Sequence, residues 1–399
     1  MKVANRARES EMDVERRSRR DFLKSASAAV AVGGFMSALP TSLHAATAPG
    51  GRAQWQKTGF TGADSLRAHA TPRGMLIGCA VVPELLTRNA QYAGLVAEQC
   101  SILVPENALK WQALRPAPDK FDFRGADAIL AFAQAHDQRV RGHNLCWHEA
   151  LPAWFATTVT KDNAQQFLTE HIRTVEGRYA GKLQSWDVVN EAIDPKSGRP
   201  DNLRNSPWLE MIGPDYLDIA FRTARQADPT VLLTYNDYSI ELDTPDQTAK
   251  REAVMALMRG MKARGVPIDA VGVQSHLDAS AGLPGAGLLK FVRDLHGMGL
   301  QVFVTELDVN DRKLTSPVEL RDLAVAAIYG NYLAMMLAEP NVNVALTWGI
   351  TDRYTWLRGP KYGRADGQPN RPLPFDADYN PAPAFFAERD AIDTKKVQS

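Results

Sequence analysis

Residues 184–192 read QSWDVVNEA and residues 301–308 read QVFVTELD. Each is a short apolar, β-branched run that reaches a glutamate near its end, Glu191 in the first and Glu306 in the second. Six further runs share this make: MLIGCAV from Met75, SILV from Ser101, RVRGHNL from Arg139, VLLTYND from Val231, AVGVQSH from Ala270 and VNVALTW ending at Trp348. Between them lie longer stretches with apolar residues at helical spacing, such as AQYAGLVAEQC from Ala90, NAQQFLTEHIRTVEGRY from Asn163 and ELRDLAVAAIYGNYLAMML from Glu319. Strand-like runs alternating with helical patterns are the mark of βα units and a parallel sheet. Eight such units close into a single α/β domain, the (β/α)8 TIM barrel. A doubly wound sheet is the other α/β solution, but it needs a glycine-rich phosphate loop after the first strand, and none follows Val81. Glu106, His143, Asn190, Glu191, Asn236, His276, Glu306 and Trp348 all fall at the C-terminal ends of the runs, the end at which TIM barrels carry their chemistry.

The 399 residues suffice for one large domain, and length alone also allows two smaller ones. Lysine plus arginine and aspartate plus glutamate each number 46, without long blocks of either sign. That balance points to an uncharged ligand and away from nucleic acid. Cys79, Cys100 and Cys146 are too few for a disulfide framework and lack zinc-site spacing, so they read as small buried residues.

The N-terminus reads SRRDFLK from Ser18, followed by the mildly apolar SASAAVAVGGFMSALP over residues 25–40. Paired arginines, Phe-Leu and an apolar stretch too short to span a bilayer resemble a twin-arginine export signal. The small residues Ala46 and Ala48 place cleavage between residues 45 and 48, ahead of Pro49. The expected organisation is a removed signal over 1–48, a lead-in over 49–64 and a catalytic barrel over 65–395. The product would be periplasmic or extracellular and not stably membrane-associated. Residues 360–382, rich in Pro, Gly and Asp, read as a loop before a last helix.

Two glutamates at one barrel mouth can perform acid–base chemistry without a metal or cofactor, and none is expected. In glycoside hydrolysis one carboxyl group protonates the leaving oxygen while the other attacks the anomeric carbon. Environment has to split the roles. Glu191, with Trp186 and Trp348 as apolar neighbours, would act as the acid, while Glu306 would need donors that keep it ionised. Residues two apart on a strand share a side, so His276 is placed to bond Glu306, and Asp308 to fix the imidazole. Gln274 shares the side of His276. The amide of Asn190 could reach a sugar 2-hydroxyl. The bland alternative is that His276 and Asp308 only satisfy each other in the core.

The motifs PENALKW from Pro105, RGHNLCWH from Arg141, SWDVVNEA from Ser185, YNDY from Tyr235, GVQSHL from Gly272, VTELDV from Val304 and TWGITDRYTW from Thr347 resemble, in order and spacing, the family 10 glycoside hydrolases. The resemblance covers essentially the whole expected mature chain. It implies an endo-β-1,4-xylanase, monomeric, acting on xylan and xylo-oligosaccharides with retention. By that resemblance Glu191 is the acid/base and Glu306 the nucleophile, with Asn190 and His276 as polar partners of the nucleophile and the 2-hydroxyl. Glu106, Asn107, Lys110, His143, Trp147 and Trp356 would line the glycone side and Trp348 would roof the cleft. Trp348 and Trp356 offer a pyranose an apolar face and one N–H each. The chain departs from the family at Ala150, where a polar group is common, at Cys146, where valine is, and at Val104, where threonine is.

Three rival readings differ in chemistry. A β-1,4-glucanase would keep both carboxylates and differ in admitting a C6 hydroxymethyl, a discrimination of about 1–3 kcal/mol. A metal hydrolase built on His143, His148 and Glu149 is disfavoured, because positions five apart on a strand face opposite sides, unlike the i, i+4 pair of helical zinc sites. A sugar-binding barrel without activity would need a lost carboxylate, and neither is lost.

Overall fold

A computed structural model describes residues 59–315 and 317–397; the expected export signal lies outside the described residues. Its strands are β1 (Leu76–Val81), β2 (Ile102–Pro105), β3 (Arg139–Cys146), β4 (Ser185–Asn190), β5 (Leu232–Asp237), β6 (Ala270–Val273), β7 (His276–Asp278), β8 (Gln301–Asn310) and β9 (Val342–Thr347). Neighbours from β1 to β6 pair in parallel; β6 pairs with β8, β8 with β9, and β9 with β1 through Leu76 and Val344. Eight strands thereby close the expected barrel, and β7 adds a short flap to β8.

The two-residue period of the strands sorts their side chains into two cores. Ala80, Ile102, Val104, Phe303, Val344 and Leu346 point inward and fill the barrel with Trp348 above them. Their neighbours Cys79, Val81, Leu103, Val302, Val304 and Ala345 point outward into the layer shared with the helices. The helices are the expected ones: Ala90–Gln99, Ala164–Arg178 and Val318–Leu337, with Pro383–Thr394 closing the chain after the Pro- and Gly-rich loop. Ser206 and Thr244 cap helices that begin at Pro207 and Pro245, where a proline costs no helical hydrogen bond. All three cysteines are free and buried, as read, with the sulfurs of Cys79 and Cys100 3.6 Å apart. Among the described residues no helix is long and apolar enough to cross a membrane.

Two expectations are corrected. The run from Ala270 to His276 is not one strand. Its ladder breaks at Ser275, whose φ is +67° and whose N–H donates to the Glu241 carboxylate at 2.9 Å instead of to a neighbouring strand. Between the pairs Val273–Val304 and His276–Asp308, β8 advances four residues while the other segment advances three. Trp186 is also not a neighbour of Glu191 inside the mouth. It is fully buried in the outer layer, packed so closely on β3 that a Cβ on Gly142 would lie 2.2 Å from its ring. Alternation along β4 turns Asp187, not Trp186, into the barrel.

The helix Ala164–Arg178 carries Glu176, fully buried with neither carboxylate oxygen hydrogen-bonded. Burial, reinforced by the charge of Asp228, pushes its pKa up to about 9. The folded protein therefore keeps a proton that the unfolded chain releases near pH 4.5. The associated stability is fully present below that pH and is lost progressively as pH rises toward 9. Glu176→Met should raise stability at pH 8 by on the order of a few kcal/mol and leave it nearly unchanged at pH 4. Urea unfolding across that range measures the effect, and a pH-independent difference would rule the account out.

Candidate active site

Glu191 and Glu306 meet at the C-terminal mouth of the barrel, linked through the side-chain amides of Asn190 and Asn236. Asn236, fully buried at the end of β5, donates its Nδ2 to Glu306 Oε1 at 2.8 Å and to the Asn190 carbonyl oxygen at 2.9 Å. Asn190 in turn donates to Glu191 Oε1 at 3.0 Å. Gln274 donates to the same oxygen at 2.9 Å, and the Trp147 indole donates to Glu191 Oε2 at 2.9 Å. On the other side, the His276 ring bridges Glu306 Oε2 at 3.2 Å and Asp308 Oδ1 at 3.0 Å. The expected His276–Glu306–Asp308 arrangement is thus present. Because both ring partners are carboxylates, both nitrogens must donate, which requires the imidazolium. Burial opposes that charge, but Asp308 and Glu306 outweigh it and hold the His276 pKa well above its ordinary value.

The two carboxylates are pushed apart in proton affinity. Burial alone would raise Glu306, but the His276 hydrogen bond, the charges of His143 and His276, and the Asn236 amide bring it down to about 2. For Glu191, burial and the negative charges of Asp237 and Glu306 outweigh the Gln274 and Trp147 donors, and its pKa is raised. Glu306 is therefore the readier anion, and Glu191 keeps its proton to a higher pH than an ordinary glutamate does. This is the division that general-acid and nucleophilic chemistry at one bond requires.

The remaining expected residues surround this pair. Lys110 donates to Asn107 at 3.1 Å, and Asn107 to Glu106 at 3.2 Å, so the trio forms one polar cluster, and the Lys110 side chain makes no capping bond to the helix that begins at Trp111. The Lys110 ammonium stands 5.1 Å from the Trp147 ring centre and 5.7 Å from that of Trp348. Trp348 is nearly buried and meets the His143 ring edge-on at 5.3 Å. Trp356 differs from expectation: its N–H is taken by Asp308 Oδ2 at 2.6 Å, which leaves its ring, edge-on to His276, as the part that can meet a ligand. Asn190 likewise has one N–H and its carbonyl engaged, with one N–H left. Ala150 takes a left-handed backbone, φ +51°, and its carbonyl accepts from Gln112 N at 2.8 Å.

Several contributors were not singled out from sequence. Asn236 stood among the polar strand ends without a role; its register partner across the sheet is Asn190. Beneath the site, Asp187 binds the Arg141 guanidinium and accepts from His143 Nδ1 at 2.9 Å, all fully or nearly buried. Positions 141 and 143, and 185 and 187, share a strand side, so the cluster has a signal in parity. Arg204 has none: thirteen residues beyond Glu191, its Nε donates to the Glu191 carbonyl at 2.7 Å. Glu191 holds a left-handed backbone, φ +58°, pinned by that bond and by its own N–H to the Asn236 carbonyl at 2.8 Å. Such a conformation costs a non-glycine residue about 1–3 kcal/mol and persists only where neighbours over-determine it. Of the rival metal cluster, His143 is engaged with Asp187, and His148 lies 3.7 Å from Glu149. Among the described residues no group of three or more His, Cys, Asp or Glu could hold a metal ion.

Residues 65–391 match glycosyl hydrolase family 10. The chain is 36% identical over 325 residues to "Endo-1,4-beta-xylanase A" of Thermoanaerobacterium saccharolyticum, a match covering 78% of this chain and 26% of that protein. It is 35% identical over 328 residues to "Exoglucanase XynX" of Acetivibrio thermocellus, covering 79% and 28% respectively. The chain thus spans little more than a quarter of the length of these two relatives. The crystal structure of xylanase 10B from Thermotoga petrophila RKU-1 in complex with xylobiose superposes with a TM-score of 0.76 at 33% identity, covering 83% of this chain and 98% of that one.

Removing the Asn236 donor should release part of what keeps Glu306 ionised. In Asn236→Ala the Glu306 pKa should rise from about 2, while Glu191 still titrates above the ordinary glutamate value. Carbon NMR of glutamate-labelled protein reads both; an unmoved Glu306 would show that the Asn236 bond does not favour the anion.

Proposed function

Since the chain belongs to glycosyl hydrolase family 10, we propose that it is an endo-1,4-β-xylanase that cleaves internal bonds of xylan with retention of configuration. One observation carries the mechanism: the two mouth glutamates sit in one hydrogen-bond network with proton affinities shifted in opposite directions, Glu306 down to about 2 and Glu191 up from the ordinary glutamate value. The Glu306 carboxylate attacks the anomeric carbon as Glu191 gives its proton to the departing glycosidic oxygen, which leaves a glycosyl ester on Glu306. Esterification removes the Glu306 charge, one of the causes that raise Glu191, so Glu191 becomes the better base for water in the second step. Water then attacks the anomeric carbon, Glu191 takes its proton, and Glu306 is released. We assign the remaining N–H of Asn190 to the sugar 2-hydroxyl, a reading supported by its other amide groups being engaged with Glu191 and Asn236. The Trp348 and Trp356 rings and the Glu106–Asn107–Lys110 cluster bind the flanking units. Similarity to the relative named an exoglucanase supports β-1,4-glucan as the second reading, with the same carboxylates.

Incubation with xylan and with carboxymethyl cellulose separates the two readings, with the first-released anomer followed by NMR. Rapid xylan scission giving β-anomeric oligosaccharides is expected; cleavage of cellulose alone would move the substrate, and binding without release would leave a non-catalytic barrel. Glu306→Ala should abolish turnover on every substrate. Glu191→Ala should still form the covalent intermediate from activated aryl xylosides but hydrolyse it slowly; equal losses on activated and natural substrates would refute its acid role. In the wild type kcat/KM should fall on the acid side near pH 2 as Glu306 protonates, and on the alkaline side above the ordinary glutamate value as Glu191 ionises.

We also propose twin-arginine export, supported by SRRDFLK from Ser18. Replacing Arg19 and Arg20 together by lysine should keep the enzyme in the cytoplasm of its host, as fractionation would show.

A further inference from the structure

We propose that Glu241 is a positioning residue: by holding the backbone of Ser275 it fixes the turn that delivers Gln274 to Glu191 and His276 to Glu306. The inference rests on the reading of those two glutamates as acid/base and nucleophile. Ser275 stands between β6 and β7, fully buried, with φ +67°. A left-handed backbone is costly for any residue but glycine and persists only where neighbours over-determine it. Leaving the strand ladder also strands the Ser275 N–H in the interior, where an unpaired donor is destabilising. Glu241, itself buried just beyond β5, meets both demands. Its Oε1 accepts the Ser275 N–H at 2.9 Å and its Oε2 the Ile240 N–H at 2.8 Å, so one carboxylate ties the turn to the loop after β5. The Ser275 hydroxyl adds bonds to the Val273 carbonyl at 3.0 Å and to the hydroxyl of Tyr332, on the helix Val318–Leu337, at 2.6 Å.

The turn matters because of what flanks it. One residue before it, the Gln274 side chain donates to Glu191 at 2.9 Å; one residue after it, the His276 ring bridges Glu306 at 3.2 Å and Asp308 at 3.0 Å. The backbone is shared in the same way. Gln274 N–H donates to the Asp237 carbonyl, and the Gln274 carbonyl accepts from Glu306 N–H, each at 3.0 Å. A rotation at Ser275 therefore displaces a partner of each mouth carboxylate at once. Buried and engaged on both oxygens, Glu241 acts through Ser275 and not on the sugar. Burial raises its pKa, while the N–H groups of Ser275, Glu241 and Ile240 and the charge of His276 work to keep it ionised. A glutamine in its place has one carbonyl oxygen and must turn an NH2 toward one of the two N–H groups.

Glu241→Gln tests this, alone and combined with Ser275→Gly, on xylo-oligosaccharides, with rates referred to the folded fraction measured by circular dichroism. In the single variant kcat and kcat/KM should fall together by about 10- to 100-fold with KM nearly unchanged, as displaced groups that act in the transition state imply. Glycine takes φ +67° without the steric cost, so the double variant should recover most of the lost kcat. A purely structural Glu241 would lower the melting temperature and leave kcat per folded molecule native, which overturns the proposal. A raised KM at native kcat overturns it in favour of substrate binding, and an equal kcat loss in both variants shows that the carboxylate acts other than through the turn. Should the single variant not fold, the double variant decides: near-native kcat upholds the role, whereas a kcat still about 100-fold down, or failure to fold, refutes it. A wild-type chain that hydrolyses neither xylan nor cellulose sinks the enzyme reading and this role with it; with an active wild type the outcomes concern Glu241 alone.

Discussion

The buried amide of Asn236 donates to the Asn190 carbonyl and to Glu306 from a position fully removed from solvent. A buried amide left half-paired costs about 1–3 kcal/mol, so β4, β5 and β8 have one arrangement in which all three groups are satisfied. Thr305 fixes the third corner by donating to the Asn236 carbonyl oxygen at 2.8 Å, and Gly272 leaves the space, since a Cβ there would lie 2.1 Å from that same oxygen. The spacing of the two mouth carboxylates is in this way a consequence of strand register. Closure of an eight-stranded barrel sets that register.

The same closure makes the electrostatics. Below the mouth the barrel is filled by aliphatic and aromatic side chains, and charges above it interact through a medium far less polarizable than water. In that setting neighbouring charges outweigh the number of donors, since Glu191 accepts from three groups and Glu306 from two, yet Glu191 is the one whose pKa is raised. Glu306 faces two histidines and an amide, whereas Glu191 faces the charges of Asp237 and Glu306. Asp237 is itself tied to Lys250 at 2.7 Å and accepts from Tyr235, so the charge that burdens Glu191 is fixed in place. The Arg141–Asp187 pair, fully buried, does the equivalent for His143. A buried ion pair of this kind is weak evidence for stability; its consequence here is the orientation of the imidazole whose charge acts on Glu306.

Much of the plan was legible along the chain. Eight runs with polar C-terminal ends gave the barrel and its working face, and the two-residue period of a strand placed His276 with Glu306 and Asp308. Errors arose where local pattern competes with a distant partner. Ser275 reads as mid-strand but turns out of the ladder toward Glu241. Trp186 reads as a neighbour of Glu191, yet alternation along β4 sends it into the helix layer. The Trp356 N–H looks available to a sugar and is bound by Asp308, 48 residues away.

The sequence by itself determined the strand and helix order, the side of each strand a residue takes and the identity of the two carboxylates, because periodicity and side-chain chemistry are local properties. Only the tertiary structure decided which groups are already paired, how Arg204 holds Glu191 in its left-handed backbone, and why the two glutamates differ in proton affinity. Those outcomes depend on inter-strand register and on the exclusion of water, and both arise only when segments tens to hundreds of residues apart close into one barrel.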